Sequence, residues 1–368
     1  MKLVLVSDLH LDSQFSWLGI AGSAAQKRRQ NLRETLLRVV RLVQEEQADA
    51  LLCGGDMYEH DRVTPDTAEF LRSTFASIQP IRVFIAPGNH DWYGSRSVYQ
   101  QTAWSSNVHL FQTGQLEPVE LADGLQLWGA AHCAPAGTPG FLESFRTEGT
   151  AVHLALFHGS ERGWLTQQGE GKEPHAPFWE HEIEAAGLTH AFLGHYHKAK
   201  DGLRHTYPGN PDPLSFGEDG DRGAVVITID GSGRIVRDRR RVAVTELDDV
   251  ELDITGCLHQ QEIRDRIASE LEVRRGFVRL TLHGEINPDL DLRLSDLGAG
   301  FPQLDALQVR MGAVKPLYDF EQLASEPTVR GQFVRDVQAA ADLSEEQRQR
   351  ILCMGVRALE GRPDLEVS

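Results

Sequence analysis

Short apolar runs that end abruptly in Gly, Asp, Asn or His recur through the first half of the chain. Leu3 to Val6 reads as a buried strand and runs into Asp8-Leu9-His10-Leu11-Asp12. Ala50 to Cys53 is a second such run and ends in Gly54-Gly55-Asp56. The third, Val83-Phe84-Ile85-Ala86, is stopped by Pro87 and followed by Gly88-Asn89-His90-Asp91. Between them, Leu32, Leu36, Val39, Val40 and Val43 fall at helical spacing, and a second helix spans roughly Pro65 to Ile78. Successive strand-helix units therefore deliver polar groups to the carboxyl ends of strands, where open α/β sheets carry their sites.

The pattern continues with changes. Asn107 to Ala131 has short apolar runs between Gly and polar turns, and reads as a mainly antiparallel patch. Val152 to Phe157 is a strand with His158-Gly159-Ser160 at its end, and Ala191-Phe192-Leu193 leads into Gly194-His195-Tyr196-His197. Gly209-Asn210-Pro211-Asp212-Pro213 is a loop. Ala224 to Ile229 and Ile235 to Val244 read as a hairpin around Asp230-Gly231-Ser232-Gly233. Beyond about Leu247 the texture is that of a separate small α/β domain. Ile263, Ile267 and Leu271 mark a helix. Val278, Leu280 and Leu282 alternate with polar residues as a half-exposed strand, and so do Leu307, Val309 and Met311. The tail predicts two short helices, one with Phe333, Val334, Val337 and Ala341. The other opens at a capping box, Ser344 to Gln347, and carries Ile351 and Leu359.

Composition narrows the class. A chain of 368 residues with 40% hydrophobic and 25% charged residues can form two cored domains. Its net charge of -17 offers no general attraction for nucleic acid or an anionic membrane, so a nucleic-acid contact would need a local basic patch or a metal. Cys53, Cys133, Cys257 and Cys353 form no C-x-x-C pair, which argues against a zinc ribbon or redox motif and for free thiols in a reducing compartment. The first apolar run is too short for a signal peptide, and no run approaches a membrane span. The expectation is a cytoplasmic protein with no membrane segment.

The chemistry lies in the residues after the strands: Asp8, His10, Asp56, Asn89, His90, His158, His195 and His197. Seven ligands and one residue left over suit two metals that share a carboxylate. Carboxylate, imidazole and amide donors without thiolate suit Mn²⁺, Fe²⁺ or Zn²⁺ and argue against Ca²⁺ or structural zinc. His153 and His190 sit within or at the start of strands and read as packing or capping groups. His60, His132 and His205 could stand behind the ligands as donors. Arg234, Arg237, Arg239, Arg240 and Arg241 form the densest basic run. It reads as a solvated strand face, with contact to a phosphate backbone as the sharper alternative.

In this order, D-x-H, G-D, G-N-H-D, H and G-H-x-H resemble the calcineurin-like metallophosphoesterases over about residues 1–245. Asp8 to Ser13, Gly88 to Trp92 and Tyr207 to Phe216 are similar to the SbcD/YhaO-type DNA repair exonucleases within that family. The protein phosphatases of the superfamily read G-D-x-x-D-R-G and G-N-H-E, whereas here Asp56 precedes Met57-Tyr58-Glu59-His60 and the later motif ends in Asp91. The resemblance implies an α/β fold with a four-layer α/β/β/α sandwich over 1–245, a small α/β capping domain over 246–325 and a helical tail over 326–368. It also implies that Asp8, His10 and His197 hold one metal and Asn89, His158 and His195 the other. Asp56 would bridge, and His90 would be free to contact the phosphate and protonate or orient the leaving group. The implied function is a two-metal, Mn²⁺-dependent DNA exonuclease or endonuclease in repair or processing. Its implied partner is an SbcC/YhaN-like coiled-coil ATPase docked on the helical tail, and a homodimer stays open. A phosphodiesterase for a nucleotide or other small substrate is the competing enzyme reading, and a non-catalytic scaffold subunit the competing non-enzymatic one.

Overall fold

The computed structural model describes residues 1–16, 22–168, 173–218, 220, 222–287, 290 and 292–360. The chain divides into two compact units, Met1–Glu246 and Leu247–Ser368. In the first unit, β1 (Lys2–Val6), β2 (Ala50–Cys53), β3 (Arg82–Ile85) and β4 (Val108–Leu110) lie side by side in parallel. The crossovers are α1 (Gly22–Glu45), α2 (Pro65–Ala76) and the single turn α3 (Val98–Gln101). The start of α2 is written in sequence: the Thr64 side chain accepts from the Thr67 amide and Pro65 takes the first helical position.

A second sheet is built from β5 (Glu117–Ala122), β6 (Leu125–Gly129), β7 (Val152–His158), β8 (His190–Gly194), β9 (Lys200–Asp201) and β10 (His205–Tyr207), with α4 (Glu180–Ala185) between β7 and β8. The hairpin β11 (Gly223–Ile229) and β12 (Ile235–Arg241) returns to the first sheet, antiparallel to β1. The stretch from Asn107 to Ala131 is less antiparallel than its pattern suggests. β4 pairs parallel with β3, β6 pairs parallel with β7, and only β5 and β6 form a hairpin.

The near-continuous apolar character of β1 to β3 follows from cover on both faces. Val4, Val6, Leu51, Cys53, Val83 and Ile85 pack against residues of α1 and α2 such as Leu36, Val39 and Leu71. The alternate residues Leu3, Leu5, Leu52 and Phe84 pack against Leu127, Leu154, Leu156 and Phe192 of the second sheet. The far side of that sheet, including Phe157 and Leu193, packs on Phe178 and on Ile183 of α4. Register fixes where the strands stop. Val6 pairs with Cys53 and Cys53 with Ile85, while His158 pairs with Gly194 in the other sheet. The exits of each sheet therefore line up at one edge.

The second unit has a three-stranded parallel sheet, β13 (Leu247–Asp253), β14 (Gly276–Ile286) and β15 (Leu304–Pro316), with α5 (Gln260–Leu271) and the single turn α6 (Leu294–Leu297) as connections. Ile263, Ile267 and Leu271 of α5 pack on Val278, Leu280 and Leu282. Three helices follow rather than two: α7 (Phe320–Ser325), α8 (Val329–Ala339) and α9 (Glu345–Leu359). Ala341 lies beyond the end of α8. The capping box of Ser344 and Gln347 opens α9, but the helix buries Leu352 and Val356, while Ile351 and Leu359 are exposed. Among the described residues no helix is long and apolar enough to cross a membrane. The four cysteines are free, with Cys53 and Cys257 buried and Cys133 exposed.

Candidate metal centre

All eight residues singled out in the sequence come together where the strand exits of the two sheets meet. Asp8 and His10 follow β1, Asp56 follows β2, and Asn89 and His90 follow β3. His158 closes β7, and His195 and His197 follow β8. Asp8 and His10 do not converge by strand alternation, because β1 has already ended. The backbone instead turns left-handed at Asp8 (φ 56°), His10 (φ 51°) and Asp56 (φ 52°), and His195 stands at φ 117°. Non-glycine residues adopt such angles rarely and at a cost, typically where a site dictates them. Glycines supply the closeness. A Cβ on Gly88 would lie 2.2 Å from Asp56 Oδ1, and one on Gly194 would lie 2.2 Å from the Gly54 carbonyl oxygen.

Three sets of donor atoms, each within 4.8 Å of one another, lie here: Asp8, His10, His197; Asp8, Asp56, His158; and His10, Asp56, His90. Hydrogen bonds fix the imidazole tautomers. His10 Nδ1 donates to Glu59 Oε1 (2.8 Å), His197 Nδ1 to Glu218 Oε1 (3.0 Å) and His158 Nδ1 to the Gly54 carbonyl (2.9 Å). Their Nε2 atoms then face inward. His10 Nε2 and His197 Nε2 lie 3.2 Å apart. Between neutral rings that contact sets lone pair against lone pair, and a cation would convert the repulsion to ligation. His158 Nε2 lies 3.2 Å from His195 Nδ1 and 3.3 Å from Asp56 Oδ2, so that in its protonated form it donates to the carboxylate. The Oδ1 of Asn89 is buried and meets no donor among the described residues. Orphaned oxygen and converging nitrogens fit a site for divalent cations.

A family model of calcineurin-like phosphoesterases matches residues 1–209. The chain belongs to this family. Among solved structures it is similar to TT1561 of Thermus thermophilus, with 12% identity, a TM-score of 0.37, and coverage of 65% of this chain and 98% of that one. Family and donor clusters together make it a metal-dependent phosphoesterase.

Electrostatics in this phosphoesterase centre on Asp56. Burial alone would raise its pKa, but His158, His10 and His90 hold it well below the usual carboxylate range. Burial opposes charge on His158, yet the Asp56 carboxylate raises it to about 9. His195 is lowered well below its ordinary value by burial and by the neighbouring His158. His90 is raised to about 9, first by its hydrogen bond to Glu59 and against the effect of burial. Its side chain is 46% exposed, unlike that of its neighbour Asn89, which is buried.

Sequence reasoning missed the residues that hold the ligands. Glu59 accepts from His10 through one oxygen and from His90 Nδ1 through the other (3.0 Å). Its pKa falls to about 2: burial would raise it, and the two histidine hydrogen bonds override that. Glu218 orients His197 and also accepts from Asn210 Nδ2 (2.6 Å) and the Leu214 amide (2.7 Å). Arg222 donates to the carbonyl of His197 and to Asn210 Oδ1. The stretch from Tyr207 to Phe216 thus acts through Asn210. Asp91 accepts from the amides of Asp56 (3.0 Å), Met57 (2.6 Å) and Gly88 (2.6 Å) and from Tyr99 Oη (2.6 Å), joining the β2 and β3 exits.

Of the remaining histidines, His132 donates from Nε2 to the His158 carbonyl (2.7 Å), and His60 stacks on Trp92 at 3.7 Å. His205 lies away from the centre, beside Glu180. His153 receives the Trp128 indole N–H (3.1 Å), and His190 is bonded to Thr206 Oγ1 (2.9 Å), so both serve packing. His175, which nothing in the pattern marked, has its ring 5.4 Å from His195. A cleft of about 800 Å³ opens over the centre, bordered by Trp164, His175, Tyr196, Lys198 and Arg222.

Proposed function

We propose that this phosphoesterase is a Mn²⁺-dependent DNA nuclease, exonuclease or endonuclease, that works in repair or processing with a coiled-coil ATPase. Asp8, His10 and His197 would hold one cation and Asn89, His158 and His195 the other, with Asp56 between the two sets. In support, a single Asp56 oxygen lies 3.3 Å from His158 Nε2 and 3.8 Å from His10 Nε2, a nitrogen of each set. A pair of divalent cations supplies positive charge at a phosphoryl group and makes water nucleophilic near neutral pH. His90, outside the donor sets proposed for either ion, donates Nδ1–H to Glu59 and is free to donate its second N–H to the leaving oxygen.

The observation that carries a polymeric substrate is the cleft. At about 800 Å³ it is larger than a phosphodiester group alone needs, and beside the carboxylates of Asp56, Glu59, Glu173 and Glu218 it presents Lys198 and Arg222. We read the two facing sheets with helices on their outer sides as the four-layer sandwich of this family and Leu247 onward as its capping domain and tail. The exposed Ile351, Met354 and Leu359 on α9 suit docking of the ATPase partner. A scaffold role fits poorly with a complete donor set.

The test is metal-dependent cleavage of labelled single- and double-stranded DNA against a small phosphodiester. Mn²⁺-dependent DNA cleavage, lost in Asp56→Asn, is expected. Turnover of the small ester with no cleavage of either DNA would leave a nucleotide phosphodiesterase.

A further inference from the structure

In so acidic a chain, the places where cations gather are informative. Arg237, Arg239, Arg240 and Arg241 all lie on β12. Strand pairing places the last of them. Gly223 of β11 faces Arg241, and Val225 of β11 faces Leu5 of β1. Because β11 runs antiparallel to both neighbours, the carboxyl end of β12 lies at the same sheet edge as the exits of β1 to β3, the edge of the metal centre.

A second cavity, of about 140 Å³, opens at that end between Pro208, Arg222, Arg239, Arg240 and Arg241, and no carboxylate lines it among the described residues. At about 30 Å³ per water it has room for four or five waters, or for a phosphate group and little else. Arg222 borders this cavity and the metal cleft alike. The other arginines differ in their attachments. Arg239 is anchored by Asp201 (2.9 Å) and the carbonyls of Tyr207 and Pro208 (both 3.3 Å). Arg240 is held by Asp238 (2.8 Å) and Glu46 (3.0 Å). Arg241 is exposed and makes no ion pair or side-chain hydrogen bond among the described residues. Of the three β12 arginines at the cavity, Arg241 is the one whose guanidinium no other described residue engages.

We propose that this cavity is a phosphate subsite, which takes a backbone phosphodiester of a polynucleotide whose scissile phosphate lies at the metal centre. Guanidinium groups suit the role because their planar forks match phosphate oxygens. The proposal rests on the polynucleotide reading above, but its test reads binding, whereas that reading stands or falls on cleavage.

The experiment uses the full chain, a fluorescein-labelled thymidylate oligonucleotide and fluorescence anisotropy over a salt series, with Ca²⁺ as the divalent ion. Loss of one phosphate contact in Arg241→Gln should weaken binding and make the slope of log affinity against log salt shallower by about 0.7. Arg241→Lys, which keeps the charge but not the planar fork, should keep the wild-type salt slope and bind with an affinity between those of wild type and Arg241→Gln. Both variants should hydrolyse bis(p-nitrophenyl) phosphate with Mn²⁺ at the wild-type rate, which shows that they are folded. Unchanged affinity and slope in Arg241→Gln would overturn the subsite, as would a wild-type protein that binds no oligonucleotide. Loss of inorganic-phosphate binding with oligonucleotide binding intact would make it a free-anion site and also overturn the proposal.

Discussion

Gly194→Ala isolates the closeness of the two sheet edges, because the only thing added is one methyl group. That Cβ would lie 2.2 Å from the Gly54 carbonyl oxygen, 2.8 Å from His158 Nδ1 and 2.9 Å from Ser7 Cβ. Real Cβ atoms stay beyond 3.0 Å, so the exits of β2 and β8 must part by at least about 0.8 Å. The Gly54 carbonyl is backbone and cannot swing aside. It is also the acceptor that sets the His158 tautomer. Parting the edges therefore moves His158, His195 and His197 away from Asp8, His10 and Asp56. Overpacking of this kind costs about 1–3 kcal/mol. For a unit of this size that lowers Tm by roughly 2–4 °C per kcal/mol, so the fold survives. Misplacement on the order of 1 Å costs about 10²-fold in rate. The assay pairs a thermal melt with bound Mn²⁺ and with turnover of bis(p-nitrophenyl) phosphate. A variant that melts a few degrees lower but binds Mn²⁺ and turns over as wild type does would refute the argument that this contact sets the ligand geometry.

Asp56→Asn should lower bound metal below two ions per chain and abolish hydrolysis, as measured by metal analysis of the dialysed protein. His90→Ala should keep both metals and DNA binding yet lose about 10²–10⁴-fold in DNA cleavage. A nitrophenyl phosphodiester should suffer less, and loss of a metal instead would make His90 a ligand. Glu59→Gln leaves one of its two imidazoles facing an amide N–H, and should weaken Mn²⁺ binding by about 10- to 100-fold in a calorimetric titration. Ile351→Asp combined with Met354→Asp on the exposed side of α9 should abolish co-purification with the proposed ATPase partner while small-ester hydrolysis is unchanged. Tight association in that double variant would move the docking site elsewhere.

The candidate donors were legible because metal chemistry is narrow in residue type and strands announce their ends. An apolar run that breaks into Gly and then Asp or His carries both signals in a few residues, as at Gly54 to Asp56 or Gly194 to His197. Glu59, Glu218 and Arg222 carry neither signal. Acidic and basic loop residues are common, and only the folded chain shows that Glu218 reaches back to His197 across 21 positions. Direction was lost for a related reason. Val108-His109-Leu110 looks the same whether it pairs parallel or antiparallel, and its parallel pairing with β3 comes from tertiary packing. On α9, Ile351-Leu352-Cys353-Met354 is apolar throughout, so periodicity could not say that Leu352 is buried at 2% exposure and Ile351 exposed at 38%.

Asp91 shows why the fourth residue of Gly88-Asn89-His90-Asp91 is part of the centre without facing it. Its carboxylate gathers the Asp56, Met57 and Gly88 amides, so it sets the backbone from which the Asp56 carboxylate projects. That places two buried carboxyl groups close together, and burial with the Asp56 charge pushes Asp91 up to about 6. Asp8 and Asp56 add the left-handed backbone angles already described, and the His10–His197 contact sets lone pair against lone pair whenever both rings are neutral. Each of these terms is unfavourable in the protein alone. A positive ion beside Asp56 and between the histidines reverses the sign of the like-charge and lone-pair terms together, leaving only the backbone cost to the surrounding core. A centre whose separate penalties share one remedy is built around that remedy, which is the physical reason to place cations here rather than a proton relay or a structural polar knot.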